Sequence, residues 1–205
     1  MSFINRRLIL TALAVVALAA CNRGGGSTSA DGMSMGDPKA KVSLIEYASA
    51  SCSHCARFNN DVFPEFKKKY VDTGKVHYTF REFLTPPVQV AAAGFLLARC
   101  AGKDKYFPVV DAVFRGQEEM FANGDTSNVR PVMLRIARSV GMSEDQFTAC
   151  ITDEKALKAL NDRVQTAMNK DGIDSTPTFV INGKKWKSGE VSMADLDGAL
   201  QPLLK

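Results

Sequence analysis

The feature that most constrains this chain is a pair of cysteines three residues apart, Cys52 and Cys55, set between two differently patterned apolar segments. Val42-Ser43-Leu44-Ile45-Glu46-Tyr47 is short, apolar, β-branched and aromatic, and reads as a buried strand. Cys55, Phe58, Val62, Phe63, Phe66 and Tyr70 fall near helical spacing, with Pro64 predicting a kink and Gly74 closing the segment. Cys52-Ser53-His54-Cys55 therefore lies where a strand hands the chain to a helix. The N-terminal end of that helix favours negative charge on Cys52, making the first sulfur an accessible thiolate and the second a resolving thiol one turn later. A nearby cationic imidazole on His54 is expected to stabilise the thiolate further and make the disulfide form more oxidising. Two other uses of such a pair stay open at this point: half of a zinc site, or a structural bridge. The remaining ligand candidates, His77, Cys100 and Cys150, are not paired at short spacing, and so small a ring restricts little of the unfolded chain. Redox chemistry is the favoured reading, and it calls for no metal and no other cofactor. His77 is expected to be structural or exposed, and Met33 and Met35 to share one packed face rather than bind copper.

The N-terminus reads as an export signal over residues 1–20. Arg6-Arg7 precede an apolar run from Leu8 to Ala20 that is too short to span a membrane, and small residues close it. Leu18-Ala19-Ala20-Cys21 resembles the bacterial lipoprotein box, which makes Cys21 a candidate lipid attachment site; the alternative is a cysteine near an ordinary cleavage site. Residues 21–32, rich in Gly, Ser and Thr, read as a flexible tether, and one domain follows over residues 33–205. Without Arg6 and Arg7, 24 basic residues face 22 acidic ones, with no basic block, so nucleic acid is not an expected partner.

Beyond the first helix, Val76 to Phe83 largely alternates as a second strand. Residues 87–172 carry only helical patterns: Ala91 to Cys100, Tyr106 to Phe121, Val129 to Val140, Ser143 to Cys150 and Asp153 to Lys170. Ser143 with Gln146 forms a capping box, and Gly141 and Gly172 stand at helix C-termini. Thr178 to Ile181, Asn182-Gly183 and Lys185 to Lys187 predict a hairpin, and Ser192 with Asp195 caps a last helix through Leu204. The expected fold class is α/β, a small mixed sheet with helices on both faces and an inserted all-helical subdomain.

Glu46, the gap to Cys52-Ser53-His54-Cys55, the helical insert and the late Thr176-Pro177 together resemble the DsbA-like branch of the thioredoxin superfamily over about residues 33–205. The resemblance implies a thioredoxin fold and a cis Pro177 beside the cysteine pair, with Thr176 presenting backbone to substrate. It also implies that Glu46 assists proton transfer at the resolving cysteine; the alternative is a side chain that simply reaches solvent. Family members with a second disulfide in the insert make Cys100–Cys150 the preferred pairing over two separate thiols. Closing a loop of that length is worth about 4 kcal/mol.

The function expected is oxidation of reduced exported proteins in the periplasm by a monomer tethered through Cys21, with a membrane redox partner restoring the disulfide. Ser53 stands where the best-known oxidases have proline, and Thr176 is the type more typical of the isomerases. Isomerase or reductase activity, or a chaperone-like binding module, are therefore the alternatives.

Overall fold

The computed structural model describes residues 32–205. The export signal expected over residues 1–20, the candidate lipid site Cys21 and nearly all of the expected tether lie outside the described residues.

Five strands form one sheet in the order β1-β3-β2-β4-β5. Its centre is β2 (Val42–Ala48), parallel to β3 (Val76–Glu82) and antiparallel to β4 (Thr178–Ile181). At the two edges lie β1 (Met33–Met35), antiparallel to β3, and β5 (Lys184–Ser188), antiparallel to β4. Period-two patterning sets the faces: Val42, Leu44 and Glu46 of β2 are all buried, as are Val76, Tyr78, Phe80 and Glu82 of β3. Met33 is buried and Met35 packs partly against the same core. The β4–β5 turn uses Asn182 at φ 47° and Gly183 at φ 78°, the left-handed pair that a two-residue hairpin requires. β5, carrying Lys184, Lys185 and Lys187, is the outermost strand on that side.

The helix after the cysteines does not run as a uniform α-helix. α1 (Ser53–Arg57) and α2 (Phe63–Phe66) alternate with π-helical turns at Phe58–Val62 and Lys67–Val71. Pro64 has no N–H to give the preceding turn, and the chain widens there so that the Phe63 N–H donates to the Phe58 carbonyl. The expected kink is thus a change of helical pitch. Phe63, Phe66 and Tyr70 keep one apolar face, on which Phe63 and Phe66 meet the ring of Tyr78 at centroid distances of 5.0 and 5.9 Å.

Between β3 and β4 come α3 (Val88–Cys100), α4 (Lys103–Arg115), α5 (Gln117–Met120), α6 (Val129–Ser139), α7 (Glu144–Ile151) and α8 (Glu154–Asn169). The single helix expected from Tyr106 to Phe121 is two, broken at Gly116, where a side chain would press within 3.0 Å of Val132 and the helices have to pass closely. Ser143 and Gln146 make the capping box, as do Ser192 and Asp195 at the start of α9 (Met193–Leu204). Cys100 at the end of α3 and Cys150 in α7 are joined by a disulfide with Cα atoms 5.9 Å apart.

Two contacts seat this insert on the sheet. Glu82, wholly buried at the end of β3, accepts from Arg99 of α3 at 2.6 Å, from Tyr106 of α4 at 2.9 Å and from Arg163 of α8 at 2.6 and 3.0 Å. Gly94 of α3 lies so close to Ala50 that an added Cβ would sit 3.1 Å from the alanine methyl, which brings α3 against the loop leading to the cysteines.

Candidate redox site

Cys52 is the N-cap of α1. Its backbone is extended (φ −84°, ψ 119°), and its sulfur accepts a hydrogen bond from the Cys55 N–H at 3.2 Å. The loop before it is stiffened by short hydroxyl side chains. Ser49 Oγ accepts from the Thr85 N–H at 3.2 Å, and Ser51 Oγ donates to the Thr85 carbonyl at 2.8 Å, just ahead of a cis Pro86-Pro87 bond. From the insert, buried Gln117 donates Nε2 to the carbonyls of Ala50 at 2.8 Å and Cys52 at 3.3 Å. Neither Gln117 nor the second cis proline stands out in the sequence. Both act through long-range contacts that no local pattern announces.

Both cysteines of the pair are free thiols, Cys52 partly exposed and Cys55 buried. Facing Cys52 is the Thr176-Pro177 peptide, which is cis, and the Thr176 carbonyl lies 3.5 Å from Cys52 Sγ, accepting its thiol proton. The turn is fixed from behind: Gly189 N–H donates to the Pro177 carbonyl at 2.8 Å, and Thr178 Oγ1 donates to the Ser175 carbonyl at 2.8 Å.

The two sulfurs titrate in opposite senses. A hydrogen bond from the Cys55 thiol leads in drawing Cys52 down to about 6; burial opposes it, while Thr176 and the backbone N–H groups of Cys55 and His54 add to it. Burial pushes Cys55 well above the ordinary thiol range, and the charges of Cys52 and Glu46 push it further. Glu46 is buried at 2% exposure and does not reach solvent. Its carboxyl is raised to about 8, chiefly by burial, with the hydrogen bond from Tyr78 lowering it and the Cys52 charge raising it.

The His54 side chain is half-exposed. Its ring is turned to Glu190 in the β5–α9 loop, with Nδ1 3.0 Å from Glu190 Oε1 and 2.7 Å from Arg57 NH2, while Arg57 and Glu190 pair at 2.5 Å. The backbone N–H of His54 is among the groups that lower the Cys52 thiol. This cluster, with Phe58 and Val191, lines a cleft beside the motif. Ser53 opens α1 and lies on a second shallow depression with Arg57, Phe114 and Gln117. His77 sits at the start of β3, opposite Ser43, and is not among the groups around Cys52. Among the described residues, no group of three or more His, Cys, Asp or Glu side chains is placed to hold a metal ion.

A strand–cysteine pair–helix unit facing a cis proline across a mixed sheet is matched by comparison with known proteins. The family model described as thioredoxin matches residues 28–201. The chain belongs to the thioredoxin family. The crystal structure of alpha-DsbA1 of Wolbachia pipientis superposes with a TM-score of 0.75 at 31% identity, over 85% of this chain and 91% of that one. A Rickettsia felis relative, provisionally named a protein-disulfide oxidoreductase, is 30% identical over 84% of this chain. Disulfide bond formation protein D of Bacillus subtilis is 26% identical over 75% of this chain and 69% of its own length. The chain spans 60% of the length of the Rickettsia felis relative. Among thioredoxin-family chains it shares with alpha-DsbA1 the DsbA-like architecture, a thioredoxin fold with an inserted helical subdomain.

Proposed function

We propose that this chain is a thiol–disulfide oxidoreductase that introduces disulfides into reduced proteins outside the cytoplasm. The observation that carries the reading is the asymmetry of the pair: Cys52, capping α1 opposite cis Pro177, is drawn down to about 6, while Cys55 beside it is buried and held protonated. A thiolate so stabilised favours the reduced enzyme and hence makes its disulfide an oxidant.

In the oxidised enzyme a substrate thiolate attacks Cys52 Sγ, the Cys52–Cys55 bond breaks, and Cys55 takes up a proton. A second substrate thiolate then attacks the substrate sulfur of the mixed disulfide, and Cys52 leaves as a thiolate. The substrate loses two electrons and the enzyme gains them. Thr176 and Pro177 shape the side from which the substrate sulfur approaches, Ser53 and His54 set the helix start, and Glu46 serves Cys55. A membrane redox partner restores the disulfide, and a lipid on Cys21 holds the monomer at the membrane of the periplasm. The Cys100–Cys150 bond has a structural role.

A second reading, isomerase or reductase, draws on Thr176 at the position before the cis proline. Equilibration with glutathione separates the two, an oxidase giving a high potential and rapid oxidation of a reduced test protein that Cys52→Ser abolishes. A strongly reducing value overturns the oxidase reading, and exchange that survives Cys52→Ser overturns the site.

A further inference from the structure

We propose, resting on the thiol–disulfide exchange reading above, that Tyr78 is a positioning residue of the reaction: its phenol holds Glu46 and thereby governs proton exchange between Glu46 and Cys55. Nothing in the sequence patterns singled Tyr78 out, because its partner lies on the neighbouring strand. β2 and β3 run parallel with Leu44 opposite Tyr78 and Glu46 opposite Phe80, so Tyr78 is the diagonal neighbour of Glu46 on the same face. The phenol donates to Glu46 Oε2 at 2.5 Å, and both side chains are 2% exposed. Its ring cannot swing away. Phe63 at 5.0 Å and Phe66 at 5.9 Å hold it from the helix that begins at the cysteines, and Phe107 of α4 holds it from another side at 6.3 Å.

The groups that set the charge on Glu46 come from three elements: Cys52 and Cys55 from the start of α1, Tyr78 from β3, and Tyr106 from α4 behind Tyr78. On β4 the residue opposite Glu46 is the apolar Phe179. Burial and the sulfur charges favour the neutral acid, and of these groups Tyr78 alone favours the carboxylate by donating to it.

The consequence is clearest when Cys55 resolves a mixed disulfide on Cys52. The Cys55 thiol passes its proton to the Glu46 carboxylate, the Cys55–Cys52 bond forms, the bond from Cys52 to the bound sulfur breaks, and the electron pair leaves on that sulfur. When a substrate thiolate opens the enzyme disulfide, the same proton returns from Glu46 to the departing Cys55. Losing the phenol hydroxyl weakens only the carboxylate form, so Tyr78→Phe raises the pH at which Glu46 can serve as the base.

The test uses the full chain carrying glutathione on Cys52 and follows glutathione release from pH 5 to 9 in the wild type, Tyr78→Phe, Glu46→Gln and the double variant. The expected result is an inflection that moves up by about one pH unit in Tyr78→Phe, a roughly tenfold slower release on the limb below it. Glu46→Gln should lose the inflection, and adding Tyr78→Phe to it should change nothing more. An unmoved profile in Tyr78→Phe overturns the proposal, as does an equal slowing in the Glu46→Gln background, which marks a packing effect. Should Tyr78→Phe fold poorly, fluorotyrosine at position 78, a stronger donor of nearly the same shape, must lower the inflection; no shift there also overturns it. If Cys55→Ser releases glutathione as fast as the wild type, the exchange reading itself has failed and the Tyr78 proposal falls with it.

Discussion

Cys52 shows how one residue inherits its chemistry from where the chain places it. Its sulfur is the acceptor of a helix N-cap, so the thiolate is stabilised by donors, the Cys55 thiol and the Cys55 N–H among them, while burial holds the neighbouring thiol protonated. The folded value of about 6 lies below the ordinary thiol value of 9.0, so the stabilisation of the reduced protein is full above pH 9 and is lost as the pH falls through about 6. Thiolate absorbance of the reduced protein should therefore show a midpoint near pH 6 that Cys52→Ser removes. The reduced form should also lose stability relative to the disulfide form below that pH, as read by urea unfolding of both. Much of this was legible in the sequence, because a strand, two cysteines and a helix are local patterns. What was not legible is which part of His54 contributes. The order Cys-x-His-Cys says nothing of Glu190, 136 positions later, which with Arg57 takes the ring.

At the scale of elements, the site is a junction and not a single helix end. α5 places Gln117 under the redox loop, α3 presses Gly94 against Ala50, and the cis Pro86-Pro87 loop is bound to Ser51. Gln117→Leu leaves the buried Ala50 carbonyl without its donor, an expected loss of about 1–3 kcal/mol in urea unfolding, and should also move the Cys52 thiolate midpoint, since the strand-to-helix turn is no longer held. An unchanged stability would show that the loop holds itself. The elements that sequence patterns fixed well are those with local chemistry: the Asn182-Gly183 turn, the Ser143 and Ser192 caps, and the alternating strands. The three-residue β1, the break at Gly116 and the π-helical turns around Pro64 escaped because each answers to packing against distant parts of the chain.

Across the whole molecule the insert is tied to the sheet at Glu82, where two arginines and a tyrosine from three helices converge, and is closed on itself by Cys100–Cys150. Replacing both of these cysteines with alanine opens a loop of 50 residues and should lower stability by about 4 kcal/mol, seen as a drop in the urea midpoint, while thiol exchange at Cys52 continues. Loss of exchange together with stability would make that bond part of the reaction. The outer strand β5 bears on the company such a protein keeps. Unfolded chains bring free strand edges of their own, and an open sheet edge is a template for them to join and aggregate upon. With Lys184, Lys185 and Lys187 along β5 and only three residues in β1, both margins of the sheet are poor templates. Under the proposed function, such margins let the protein meet unfolded chains at high concentration without being drawn into their aggregates.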